Sequence, residues 1–147
     1  YIGADHRGFA LKEALKKKLS EWGYEVSDVG NDVLDENDDY PDFAVKVAGE
    51  VSQEPFSRKG ILICGSGVGV DIAANKFSRI RSSLVFNADQ AYQARHNDDA
   101  NVLSLSADFV SEEDAVKILS AWLQTPFSEE PQHKRRIAKI SDIEINK

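Results

Sequence analysis

Short apolar runs alternate along this chain with longer stretches in which apolar residues recur every three or four positions. The runs at 1–4, 24–29, 60–64, 80–86 and 102–105 read as five strands. Leu11, Leu15, Leu19 and Trp22 put one apolar stripe on a first helix whose Lys12, Glu13, Lys16 and Lys17 face water, and Gly23 stops it. Further helices read over 43–51 with Val47 and Val51 inward, over 68–77, over 89–95, and over 112–122 with Val116, Leu119 and the following Leu123 apolar. A last helical stretch, 134–145, carries Ile137, Ile140 and either Ile143 or Ile145 on one side. Lying beyond the fifth strand, it is expected to extend toward a partner subunit.

Strands alternating with helices, without an internal repeat, signal a parallel sheet covered on both faces. The expected architecture is a three-layer, doubly wound, Rossmann-like α/β fold with a five-stranded parallel sheet in one domain, 1–147. The hydrophobic content of 41% over 147 residues fits a single core. Against 25 acidic residues stand 18 Lys and Arg, and the net charge of −7 disfavours a general role on nucleic acid or an anionic membrane. One cysteine cannot form an internal disulfide, and no apolar run approaches the roughly 20 residues needed to span a bilayer. No export signal is read at the start of the chain, and a cytoplasmic location is expected.

The densest chemistry lies in Gly60-Ile61-Leu62-Ile63-Cys64-Gly65-Ser66-Gly67-Val68-Gly69, where an apolar run ends on the single cysteine directly before three alternating glycines. A thiol at a strand end, facing free backbone N–H groups and a helix start, is where a thiolate would be stabilised. The bland reading of a free cysteine is a small buried hydrophobe, but the glycine turn moves Cys64 to the functional side. The glycines lack the spacing of a dinucleotide fingerprint or a phosphate loop, and Val85-Phe86-Asn87 offers no ribose-binding acid. No cofactor is expected. Metal is set aside too, because His6, His96 and His133 form no pair at ligand spacing and one thiol is available.

Open parallel sheets bind ligands beyond the carboxyl ends of their strands. Asp5-His6 and His96-Asn97-Asp98 are placed as acid, base or hydroxyl-binding groups. The acid-rich stretch 31–42 lacks the glycine and spacing of a calcium hand and reads as a solvated loop. His133-Lys134-Arg135-Arg136, with Lys139 a turn later, is either a hydrated helix face or a phosphate clamp.

Several blocks together resemble the type B ribose-5-phosphate isomerases and the related galactose-6-phosphate isomerase subunits. They are Gly3-Ala4-Asp5-His6-Arg7-Gly8-Phe9, Asp39-Tyr40-Pro41, residues 60–76, Arg95-His96-Asn97-Asp98-Asp99-Ala100-Asn101-Val102 and Arg136-Ile137-Ala138-Lys139-Ile140. The resemblance implies a homodimer, in some relatives a tetramer, whose active sites draw on both chains. It implies aldose-ketose isomerisation of a sugar phosphate through a cis-enediolate, most simply ribose 5-phosphate to ribulose 5-phosphate. Cys64 would be the base, Ser66 would bind the reacting oxygen, and the backbone of Gly65, Gly67, Val68 and Gly69 would hold the enediolate. His96, helped by Asp5, would open the sugar ring. His6 and Arg136 would meet phosphate, Asn97 the sugar hydroxyls, and His133 and Tyr40 would line the substrate.

The chain departs from its relatives at two places. Ser106-Ala107-Asp108 stands where they carry a phosphate-binding arginine, and Glu130-Pro131-Gln132-His133 where they carry Gly-Gly-Arg-His. These departures keep open the same chemistry on allose, galactose or tetrose phosphate or an unphosphorylated sugar, and a non-catalytic sugar-phosphate-binding subunit.

Overall fold

The computed structural model describes residues 1–145. β1 (Ile2–Ala4), β2 (Gly60–Cys64), β3 (Ser82–Leu84) and β4 (Val102–Ser106) form a parallel sheet in the order β1-β2-β4-β3. Around it stand α1 (Phe9–Glu21), α2 (Tyr40–Gln53), α3 (Val68–Ala74), α4 (Ala88–Asp98), α5 (Glu112–Gln124) and α6 (Pro131–Ile145). β2 and β4 are buried along their whole length because both of their faces are covered. Their side chains alternate between two cores. Ile61, Ile63, Leu103 and Leu105 meet Leu15 of α1, Ala91 of α4 and Ile118 and Trp122 of α5. Leu62, Cys64 and Val102 meet Val47 and Val51 of α2 and Val70 and Ala74 of α3.

The expected strand at 24–29 is corrected by the structure, and the sheet has four strands where five were expected. Its one ladder contact is a parallel bridge from Asp28 to Ile2, with the Ile2 N–H donating to Ser27 O and the Val29 N–H to Ile2 O, each at 3.0 Å. β1 is three residues long, so its outer edge offers no longer ladder. The segment is fastened instead by its side chain. Asp28 accepts from the fully buried Lys12 and from Lys16, each at 2.7 Å.

From β1 the chain moves outward to 24–29 and then crosses back to β2 on the other side. The topology therefore reverses between β1 and β2, and the crevice above such a reversal is where open α/β sheets place ligands. The helices meet local expectations more simply. Ser111 caps α5 by accepting the Asp114 N–H at 3.1 Å, with Glu112 and Glu113 in the first turn, and Asn87 caps α4 by accepting the Gln90 N–H at 2.8 Å. α6 packs on α4 of its own chain, and its Glu144 accepts from Ser78 Oγ and the Arg79 N–H, each at 3.0 Å. Ile143 and Ile145 stay exposed. Among the described residues, no helix is long and apolar enough to cross a membrane.

Candidate active site

Parallel register places Ala4 beside Ile63 and Cys64 beside Ser106, so Asp5, Cys64 and Ser106 end three neighbouring strands at one edge of the sheet. Cys64 is 4% exposed, and its Sγ accepts the Gly67 N–H at 3.2 Å. That donor is positioned to hold negative charge on the sulfur. Gly67 sits at φ 78°, and a Cβ there would meet Leu84 Cδ1 at 2.5 Å, so both the backbone angle and the space call for glycine. Ser66 is half-buried, and its Oγ accepts the Val68 N–H at 3.2 Å. The turn after β4 is tied to this one: the Ala107 N–H donates to Cys64 O, and the Asp108 N–H to Gly65 O, each at 3.0 Å. Ser106 Oγ adds a bond to Gly65 O at 2.7 Å. Tyr40, at the start of α2, lays its ring against Gly69, where a Cβ would lie 2.6 Å from the ring carbons.

Asp5 is buried, and one carboxylate oxygen accepts the Gly8 N–H at 3.0 Å. Burial raises its pKa above the ordinary carboxylate value, partly countered by that backbone bond. His6 points to the acidic loop. Its Nδ1 lies 2.7 Å from Asp38 Oδ1, which also accepts the His6 backbone N–H at 2.9 Å, and the hydrogen bond to Asp38 raises the imidazole pKa. Asn31 steadies the other Asp38 oxygen at 3.2 Å. The solvated reading of 31–42 is thus corrected at Asp38, whose side chain is 8% exposed and faces His6.

His96 and Asn97 stand elsewhere. They occupy the last turn of α4, which runs back to the amino end of β4, whereas Cys64 ends β2 at the opposite edge. The five-residue strands between these edges span about 13 Å. Within one chain the structure therefore separates His96 from the thiol. His96 Nδ1 lies 2.8 Å from Asn97 Oδ1, its ring stacks on Tyr92 at 5.0 Å, and the His133 ring meets its edge at 5.9 Å. Ser128 joins the group, its Oγ 2.6 Å from His133 Nδ1 and its N–H donating to His96 O at 3.0 Å. Asp99, at φ 48°, ends α4, and Arg95 and Arg81 hold its carboxylate at 2.7 and 2.8 Å. Arg136 is exposed on α6 and makes no hydrogen bond or ion pair among the described residues.

Sequence reasoning missed Asp38, the pairing of Arg7 with Asp108, Tyr92 and Ser128. A carboxylate in a run of carboxylates carries no mark of which one turns inward. The i, i+4 spacing of Tyr92 and His96 was visible and could have suggested their stacking.

A thiol, a buried carboxylate and a hydroxyl gathered at the carboxyl ends of neighbouring strands define the class: a Rossmann-like α/β protein whose candidate site lies at the topological reversal of its parallel sheet. The chain belongs to the Ribose/Galactose Isomerase family, which matches residues 1–140. It is 44% identical over 140 residues to a probable ribose-5-phosphate isomerase B of Mycoplasma genitalium, covering 95% of this chain and 91% of the relative. It is 45% identical over 147 residues to that of Mycoplasma pneumoniae, covering 100% and 95%. Among solved structures, ribose-5-phosphate isomerase B of Mycoplasma genitalium with bound ribulose-5-phosphate superposes with a TM-score of 0.96 at 42% identity, covering 99% of this chain and 95% of that one. The Clostridium thermocellum ribose-5-phosphate isomerase B gives 0.93 at 41% identity, covering 99% and 96%.

Proposed function

We propose that this chain interconverts ribose 5-phosphate and ribulose 5-phosphate, with Cys64 as the base. The observation that carries the reading is the Gly67 N–H aimed at Cys64 Sγ, 3.2 Å away, in the turn that closes β2. In the forward direction the C2 proton of the open-chain aldose passes to the sulfur, and its electrons form the C1–C2 double bond of an enediolate with charge on O1. A proton then moves from O2 to O1, assisted by the Ser66 hydroxyl, and the sulfur returns its proton to C1, leaving the carbonyl at C2. Donors aimed at the place where charge develops lower the barrier without reorganising. The backbone of Gly65, Val68 and Gly69 lines that place, and Tyr40 closes one side.

His6, whose protonated form the hydrogen bond to Asp38 favours, suits the phosphate, and Asp5 supports the reacting end. The His96, Asn97 and His133 cluster serves the site of a second copy, and Arg136 is exposed to do the same, so the working unit is a homodimer. This is supported by the separation of His96 from Cys64 within one chain, and by the exposure of Val68, Ile72 and Tyr92. A dimer of this kind working on a small sugar phosphate fits the cytoplasm.

The test is turnover of a panel of ribose 5-phosphate, allose, galactose and tetrose phosphates and unphosphorylated ribose. Ribose 5-phosphate is expected to have the highest kcat/KM, and Cys64→Ala to abolish turnover with the fold intact. Full activity in that variant removes Cys64 as the base.

A further inference from the structure

The guanidinium of Arg7 lies directly over the Cys64 turn. A Cβ built on Gly65 would fall 2.6 Å from Arg7 Cζ and 2.7 Å from both Nε and Nη1. Gly65 therefore leaves the space that this side chain occupies. Arg7 Nη2 donates to Asp108 Oδ2, and Asp108 is itself fastened by its N–H to Gly65 O at 3.0 Å. The two charged groups and the catalytic turn thus form one bonded unit above the ends of β1, β2 and β4.

Two features make this unit more than a surface ion pair. Asp108 is the one hydrogen-bond partner of Arg7 among the described residues, so one of five guanidinium N–H donors is engaged. The Arg7 side chain is 56% exposed and follows His6 in the chain, so its remaining N–H donors can reach a ligand from solvent. An arginine held in place by a carboxylate at one nitrogen, with its other N–H donors unengaged, is pre-organised to donate to an oxyanion.

We propose that Arg7 is a substrate-contacting residue that binds the anionic end of the sugar phosphate, and that position 108 addresses the same locus. The proposal rests on the isomerase reading for its ligand and extends it to how this chain recognises charge. Asp108 cancels part of the Arg7 charge while fixing where the guanidinium sits. A cation placed at 108 in its stead reaches the space where the Arg7 fork now lies, because the two side chains touch.

Calorimetric binding of ribose 5-phosphate tests this in the Cys64→Ala background, where turnover does not interfere. Arg7→Ala is expected to weaken binding by about tenfold or more, the scale of a lost hydrogen bond between charged groups. Arg7→Ala combined with Asp108→Arg is expected to recover most of that loss. In the Cys64 enzyme, Arg7→Ala should lower the ratio of kcat/KM for ribose 5-phosphate to that for ribose by a similar factor, chiefly through KM. Circular dichroism confirms that each variant is folded. Unchanged affinity on removing Arg7, or no recovery in the double variant, overturns the proposal even where turnover stands. Conversely, binding that depends on Arg7 in a protein that never turns the sugar over supports the anion site and discards the isomerase reading.

Discussion

One carboxylate oxygen, Oδ1 of Asp38, accepts from the backbone N–H of His6 at 2.9 Å and lies 2.7 Å from its Nδ1. The histidine is fixed at two points. Its pKa is raised above the ordinary 6.5, first by the hydrogen bond to Asp38, against a smaller opposing effect of desolvation. The imidazolium thus persists to higher pH than in a free histidine. Its contribution to stability is full below the unfolded value and is lost as pH rises through the folded one. On the proposed contact of His6 with phosphate, KM for ribose 5-phosphate should climb as pH passes the raised value. Asp38→Asn should move that climb to lower pH, read by NMR titration of the His6 ring alongside KM. An unmoved titration would remove Asp38 from this role.

The separation of His96 from Cys64 within one chain predicts complementation. Cys64→Ala and His96→Asn homodimers should each be inactive or slow on cyclic ribose 5-phosphate. When the two are mixed and allowed to exchange subunits, each heterodimer holds one site with both native groups. Activity should rise to about a quarter of the native value, since half the dimers are mixed and one of their two sites is intact. No gain after verified exchange would place both groups in the same chain's site.

Lys12 is fully buried, and its Nζ donates to Asp28 and to Asn31 O at 2.7 and 2.6 Å. Burial pushes the Asp28 pKa up, but the bonds from Lys12, Lys16 and Gly30 outweigh it and hold the carboxyl below its ordinary 3.8. Stability from Asp28 is therefore present above that ordinary value and lost as pH falls through the folded one. Asp28→Ala, which leaves the buried ammonium only the more distant, exposed Glu13 carboxylate at 3.5 Å, should cost about 3 kcal/mol in urea unfolding at neutral pH. It should also flatten the acid limb of the stability profile. A loss below about 1 kcal/mol would show that the Asn31 carbonyl and Glu13 satisfy Lys12 without Asp28.

Gly67→Ala tests the turn itself. At φ 78°, with the added methyl 3.0 Å from the Leu105 backbone, the substitution should cost about 1–3 kcal/mol of stability. It should also lower kcat more than it raises KM, because the N–H aimed at Cys64 Sγ moves. Stopped-flow turnover and thermal melts read the two effects separately. A variant that is destabilised yet keeps native kcat would detach this N–H from the chemistry.

Four of the five expected strands and all six helices stand where the apolar periodicity put them, with ends moved by a few residues. The failure at 24–29 has a local cause. Tyr24, Val26 and Val29 read as a short apolar run, but their spacing breaks strict alternation at Val29, β1 offers too short an edge, and Asp28 turns toward buried Lys12. A lysine at a helix position also read as solvent-facing, and nothing in the linear pattern of α1 announces that the 24–29 segment will cover it.

The candidate residues Cys64 with its glycines, Asp5, Ser66 and His96 stood out in the sequence because each is a particular residue type at a chain-local place such as a strand end, a turn or a helix end. Local sequence determined those identities, and the resemblance determined the chemistry expected of them. The tertiary structure alone decided the pairings: Asp38 with His6, Arg7 with Asp108 across the Gly65 turn, and His96 with His133 at the edge of the sheet away from Cys64. Such pairings join residues distant in sequence, 32, 101 and 37 positions apart. Charge and periodicity specify what each side chain can do, whereas partner choice depends on how strands and helices stack in three dimensions.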